Sequence, residues 1–453
     1  MAATAIDSMV LDDLFSTEAM RRVFSDESRL QHYLDVEAAL AAVQARLGVI
    51  PLAAVAEIER HCSVRDLDLA RLRSQTERLG DPVPAVVEQV VEKCPGDLGQ
   101  HVHWGATTQD IIDTATILQI REALALVDDD LQAIAASLAE LARRYRDAPM
   151  AGRSNLQQAV PITFGYKAAV LLAAIERHRA RLAELRPRVL VGEFGGAVGT
   201  LAALGPDGLK VRTALMKELG LGESDIAWHT TPDIIAEVAC FLGLVAGTLG
   251  KIATDIKLLM QTEVGEVFEP FAEGRGVCST MPQKRDPISC NVILACTSLV
   301  RQQVAAILGA MVEDHERATG SAEIAWIVVP QIFLLSAGAL RRAREMLAGL
   351  EVDTARMRAN LDLTQGLICA EAVMIALAPH LGRQRAHDLV HNVCRQAVRT
   401  GSPLLDLLVE DKEVAILLDW PTLARLVDPV KYLGAAGELV DRVLARFAKG
   451  QKS

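Results

Sequence analysis

The chain has 453 residues, more than one ordinary hydrophobic core supports, and 51% of them are hydrophobic but only 4% aromatic. That aliphatic composition suits large helical bundles, whose seams are filled by branched side chains. A net charge of −11 argues against non-specific nucleic-acid binding and means that any anionic ligand needs a locally basic pocket. The N-terminus, with no basic stretch ahead of an apolar one, does not read as a secretory signal, and no run reads as a membrane span. Eight scattered cysteines without a CxxC pair predict no disulfide or zinc framework and a reducing cytoplasm.

Residues 1–112 read as an N-terminal domain of shorter helices and turns, with Pro82 and Pro84 marking a loop. Its last segment, His101 to Asp110, carries His103, Thr107, Thr108 and Gln109, which can hydrogen-bond a carboxylate at a helix head. Equally, Thr108 or Asp110 can serve as a plain helix cap. After Asp113, Ile117, Ile120, Leu124, Val127, Leu131, Ile134, Leu138, Leu141 and Tyr145 recur at steps of three and four. This seam predicts a helix roughly 45 Å long, which a small domain cannot bury. The segment Gly152 to Pro161 follows, with Arg153 and Gln158 facing either a pocket or solvent.

Further long helices are predicted over about Ile162–Leu185, Pro232–Gln261, Pro287–Val312 and Pro330–Leu350, three of them starting at or just after a proline. His229 and Thr230 stand just ahead of the Pro232 helix. Runs such as Val238 to Ala246 are apolar on most faces, which predicts bundle-on-bundle packing between subunits and a homo-oligomer. Residues 113–355 thus form a central long-helix domain and 356–453 a C-terminal helical domain. No strand pattern is strong, and the P-loop, GxGxxG and HExxH motifs are absent.

The most informative stretch joins two of these helices: Gly274 to Pro287, with Cys278, Ser279, Met281, Lys284, Arg285 and Asp286. Two glycines loosen the backbone, and Lys284 and Arg285 can converge on an anion. A thiol or hydroxyl beside that charge is a candidate for proton transfer, which makes Cys278 and Ser279 the catalytic candidates.

This loop resembles the GSSxMPxKxNP signature of the fumarase/aspartase superfamily. His103 to Thr114 resembles that family's first conserved region, and Arg153 to Pro161 its second. Val102 to Thr107, Trp228-His229-Thr230, Met260 to Glu263, His315-Glu316-Arg317 and Leu361 to Leu367 are similar to the bacterial 3-carboxy-cis,cis-muconate cycloisomerases. The resemblance implies an all-α fold and a homotetramer with a twenty-helix core, whose active sites are shared between subunits. It implies proton abstraction next to a carboxylate of a small anionic polycarboxylate, with no cofactor and no metal; from charge and hydropathy, no nucleic acid and no membrane are expected as partners. It also implies substrate contacts from His103, Thr107, Thr108, Gln109, Arg153, Gln158, His229, Thr230, Met281, Lys284, Arg285 and Asp286.

Four positions depart from the family pattern. Cys278 stands where the family has its general-base serine, and Asp286 where it has asparagine. Gln158 replaces a histidine found in many relatives, and Ala322 to Trp326 replaces a Trp-His-Ala-Glu-Trp run. The expected activity is therefore a cycloisomerase or lyase with an altered site. An epimerase of a substrate such as iminodisuccinate, or a non-catalytic structural protein, are the alternatives.

Overall fold

Ile117, Ile120, Leu124, Val127, Leu131, Ile134, Leu138 and Leu141 are all buried, on one helix of 37 residues, Thr108–Arg144. It spans about 55 Å at 1.5 Å per residue. The structure, a computed structural model, describes residues 4–270, 280, 281 and 283–450. Among them are nineteen α-helices and six strands of two to seven residues, so the class is all-α as the sequence predicts.

The other long helices are Phe164–Val189, Asp233–Leu259, Ile288–Ala310 and Ser321–Ala348. Pro232 and Pro287 each stand one residue ahead of a helix, as expected. Pro330 does not: it lies inside Ser321–Ala348, where its ring removes one backbone hydrogen bond without ending the helix. Three of these helices, Asp233–Leu259, Ile288–Ala310 and Ser321–Ala348, are long and apolar enough to cross a membrane by length and composition. Each is interrupted by charged or polar residues, as the sequence reading has it.

The chain divides into two compact units, Met1–Leu131 with His178–Gly250 and Val292–Arg342, and Gln132–Arg177 with Lys251–Asn291 and Ala343–Ser453. In the first, the helix Asp26–Arg46 is capped by Ser25, whose hydroxyl accepts from the Ser28 N–H, and it buries Leu30, Leu34 and Leu40. Backbone runs against backbone at Gly338: a Cβ there would lie 2.1 Å from the Phe15 carbonyl oxygen and 2.4 Å from its carbon. Alanine has the better helix propensity, but neither peptide can give way. Gly338→Ala should therefore cost about 1–3 kcal/mol, read as a lower denaturation midpoint at unchanged m-value. An unshifted midpoint would show that the Phe15 segment moves freely.

In the second unit, Pro149–Ser154 pairs antiparallel with Gln157–Thr163. This hairpin falls where the sequence reading has a polar helix head. Gly152, two glutamines and Pro161 are poor strand formers, so the pattern is weak. Its turn places Asn155 at φ +50° and Leu156 at φ +62°, the positive pair of a two-residue hairpin turn. Val373, Leu377, Val390, Leu404, Leu408 and Leu423 form a separate C-terminal core.

Candidate active site

In the first unit, the head of Thr108–Arg144 is built around Asp110, which is fully buried. Its Oδ2 accepts the Thr107 N–H at 2.9 Å, one half of a capping box. The capping reading therefore holds, but it is a small part of what Asp110 does. Its Oδ1 also accepts the Gly195 N–H at 2.8 Å, and its Oδ2 the Gly196 N–H at 3.0 Å. His229 Nε2 lies 2.8 Å from Oδ1 of the same carboxylate and 3.7 Å from Glu193 Oε1. The Glu193 carboxylate accepts the Trp228 N–H, and its backbone N–H donates to Thr114 Oγ1 at 2.9 Å.

Gln109 donates to the His229 carbonyl at 2.7 Å and accepts from Arg317, whose other nitrogen donates to the Ala197 carbonyl at 2.6 Å. His103 sits at φ +60°, held by Glu37, which lies 2.6 Å from its Nδ1 and accepts its backbone N–H at 3.1 Å. Burial would lower the His103 pKa, but the Glu37 carboxylate raises it above the ordinary imidazole value. Thr107, Thr108 and Thr230 are half-buried nearby in sequence.

Gln109, Asp113, His229 and Glu313 line a cavity of about 980 Å³. Arg29 and Arg73 line it too, as do Ala322, Ala325 and Trp326 from the divergent run. Burial pushes the Asp113 carboxyl from 3.8 up to about 8, against the pull of His229. Burial likewise lifts Glu193 from 4.5 to about 7, again opposed by His229. Carboxyls held protonated near neutrality beside a histidine mark a proton-handling site. Asp110, Glu193 and His229 also form the grouping, among the described residues, that could hold a metal ion. Their carboxylate oxygens are already engaged by backbone N–H groups and the imidazole.

The raised pKa values give a stability prediction. A carboxyl whose folded pKa exceeds its unfolded one keeps its proton in the folded state while the unfolded chain loses it. Stability is then greatest below the unfolded pKa and falls as pH rises through the folded one. For Asp113 that window runs from 3.8 to about 8. Asp113→Asn should flatten the fall in thermal midpoint across it, and an unchanged slope would refute the assignment.

In the second unit, Arg153 makes two hydrogen bonds to Glu266, at 2.9 and 2.6 Å, and Glu266 is fully buried. Asn360 Nδ2 donates to the same carboxylate at 2.7 Å, and Gln158 Nε2 donates to the Asn360 carbonyl at 2.8 Å. The structure thus gives Arg153 a protein carboxylate, and Gln158 a structural hydrogen bond. The signature loop enters here as well. Lys284 Nζ is 2.9 Å from Asp286 Oδ1, so Asp286 faces a cationic nitrogen.

Arg285 bonds both oxygens of Glu351, at 3.0 and 2.9 Å, and the Glu269 carbonyl at 2.8 Å, and lies 5.0 Å over the Phe268 ring. Its charge braces the loop stem. Met281 is partly exposed. Cys278 and Ser279 lie outside the described residues. The sequence reading assigned no chemistry to Asp110, Asp113, Glu193 or Glu313. The N-terminal position of Asp110 in its helix was the available signal.

Comparison with known proteins accounts for nearly all of the chain. Residues 15–301 match the family described as Lyase, and residues 366–443 match Adenylosuccinate lyase C-terminus. Trans-aconitate decarboxylase 1 of Mycosarcoma maydis is 52% identical over 96% of this chain and 88% of its own length. A 3-carboxy-cis,cis-muconate cycloisomerase of Pseudomonas aeruginosa is 48% identical over 97% and 96%. The crystal structure of 3-carboxy-cis,cis-muconate lactonizing enzyme from Pseudomonas putida superposes with a TM-score of 0.90 at 44% identity, covering 98% of this chain and 99% of that one.

Proposed function

This chain belongs to the lyase family of the fumarase/aspartase superfamily, and from that membership we propose a cofactor-independent isomerase or lyase that abstracts a proton next to a carboxylate of a small polycarboxylate. One observation carries the reading: the cavity that places His229, Asp113 and Glu313 on the same wall system as Arg29 and Arg73. The first three exchange protons, and the arginines draw carboxylates into a chain that is otherwise net negative. Trans-aconitate and 3-carboxy-cis,cis-muconate, named in two relatives, are both unsaturated tricarboxylates. Their shared chemistry is loss or gain of charge beside a carboxylate, which hydrogen-bond donors and cations stabilise as an aci-carboxylate.

Cys278 is the proposed base and Lys284 a proposed carboxylate ligand, with its charge moderated by Asp286. The Lys284–Asp286 pair also supports a second reading, epimerisation of an amino- or imino-dicarboxylate such as iminodisuccinate. There Asp286 meets a substrate nitrogen, and no leaving group is needed.

Proton NMR in deuterium oxide separates these readings, with trans-aconitate, 3-carboxy-cis,cis-muconate and iminodisuccinate as substrates. A lyase, cycloisomerase or decarboxylase changes the alkene signals. An epimerase exchanges the α-proton without forming an alkene. A protein that does neither with any of the three favours the non-catalytic reading.

We also propose a homotetramer in a reducing compartment. In the Ile288–Ala310 helix only 33% of the most apolar window is buried within the chain, and Leu299 and Leu308 are among its exposed residues. Association between copies would cover that face. Light scattering should give four times the chain mass of 48.9 kDa, and a monomer would overturn the proposal.

A further inference from the structure

Gln158 holds the Asn360 carbonyl with its amide, and an amide cannot transfer a proton at neutral pH. His229 can, and it lines the cavity beside Gln109, Asp113 and Glu313. Its ring is held firmly. Nε2 is 2.8 Å from Asp110 Oδ1, and Asp110 is itself fixed by the N–H groups of Thr107, Gly195 and Gly196. A Cβ on Gly195 would lie 3.0 Å from His229 Cε1, so the backbone closes against the ring edge. With Nε2 bound to a carboxylate, Nδ1 is the nitrogen left to meet a ligand. This is the arrangement of a proton-transfer group oriented by a third residue.

We propose that His229 is the acid that returns a proton to the substrate anion, with Asp110 and Glu193 as its positioning residues. The inference rests on the acid–base reading above. The base removes a carbon-bound proton and leaves the electron pair on the substrate as an aci-carboxylate. The Nδ1–H bond of the His229 imidazolium then breaks and a new C–H or O–H bond forms with that pair. The neutral imidazole keeps its Nε2 proton on Asp110 and regains the other from solvent.

The surrounding charges favour the starting imidazolium. Asp110 and Asp113 face it from the Thr108–Arg144 helix, Glu193 from the preceding glycine loop, and Glu313 with Arg317 from the segment after Ile288–Ala310. Burial works against the charged ring, but the Asp110 hydrogen bond and the Glu193 and Asp110 charges raise its pKa; Asp113 adds a charge only above its own raised pKa of about 8.

The test uses His229→Gln with the three polycarboxylates above in deuterium oxide. Turnover should fall by about 10²–10⁴-fold, with KM changed less than about threefold. Deuterium exchange into recovered substrate should persist, because removal of the carbon-bound proton does not use His229. Joint loss of exchange and turnover, or unchanged turnover, would overturn the proposal.

If circular dichroism shows that this variant does not fold, Glu193→Gln decides. Removing a neighbouring anion should move the basic limb of the pH–rate profile to lower pH, and an unmoved limb would refute the role. If the wild type turns over none of the three compounds, the acid–base reading fails on its own. His229 is then judged by NMR titration of its ¹³C-labelled imidazole. A midpoint above the ordinary 6.5 supports the charged acid, and one at or below it refutes it.

Discussion

Cys278→Ala should lower kcat/KM by about 10²–10⁴-fold, the usual contribution of one positioned acid–base group. An ordinary thiol titrates near 8.5, within reach of neutral pH, whereas a serine hydroxyl needs far stronger activation. Lys284 and Arg285 follow within seven residues of sequence, and a cation beside a thiol favours its thiolate, although here each cation also pairs with a carboxylate, Asp286 and Glu351. The same chemistry makes the residue identifiable without a known substrate. Burial pushes the thiols of Cys62, Cys94, Cys290, Cys296, Cys369 and Cys394 above their ordinary value, and reactivity falls with the thiolate fraction.

Iodoacetamide should therefore modify Cys278 first, and a polycarboxylate that binds should slow the modification. Cys278→Ser restores the residue of the family signature and should retain measurable activity, because only the strength of the base changes. Wild-type-like turnover in Cys278→Ala would remove Cys278 from the mechanism. Fast alkylation elsewhere, with Cys278 untouched, would show that the loop does not activate its thiol.

Short-range features of this protein were legible in its sequence, and long-range ones were not. The seam from Ile117 to Leu141 repeats every three or four residues and fixes the buried face of the Thr108–Arg144 helix by periodicity alone. The signature loop brings a thiol and cations within a dozen residues of sequence, so a candidate chemistry could be proposed from it locally.

By contrast, His229 meets Asp110 across 119 positions, and Arg153 meets Glu266 across 113. Nothing local announces such pairs. A lone carboxylate at a helix head looks like a cap, and a lone arginine before a helix looks like a substrate ligand. Only the fold shows that Asp110 also carries a histidine and that Arg153 and Arg285 already have protein carboxylates. The Gly152–Pro161 hairpin was missed for a different reason. Its residues are poor strand formers, and the pairing is set by its turn and by the Glu266–Asn360 cluster that takes its side chains.

That cluster supports the second large expected effect. Glu266 is fully buried, and its two oxygens serve three donors, two from Arg153 and one from Asn360. Glu266→Ala leaves the Arg153 guanidinium without its carboxylate, a loss of about 3–5 kcal/mol when one partner of a buried pair is removed. For a domain of this size that is a fall in thermal midpoint of about 10 °C.

The pair as a whole is worth less than this, because its desolvation offsets much of its attraction. Arg153→Met with Glu266→Leu should therefore be less destabilised than Glu266→Ala, and denaturant titrations of the singles and the double give the coupling directly. The same variants resolve the role of Arg153. If it binds substrate, Arg153→Lys raises KM while the denaturation midpoint stays close to wild type. If it anchors the hairpin, stability and activity fall together, because Gln158 and the exposed Leu156 turn lose the platform that Asn360 and Glu266 hold. Additive singles with no coupling would mean that the buried contact contributes nothing, and that Arg153 was free for a ligand all along.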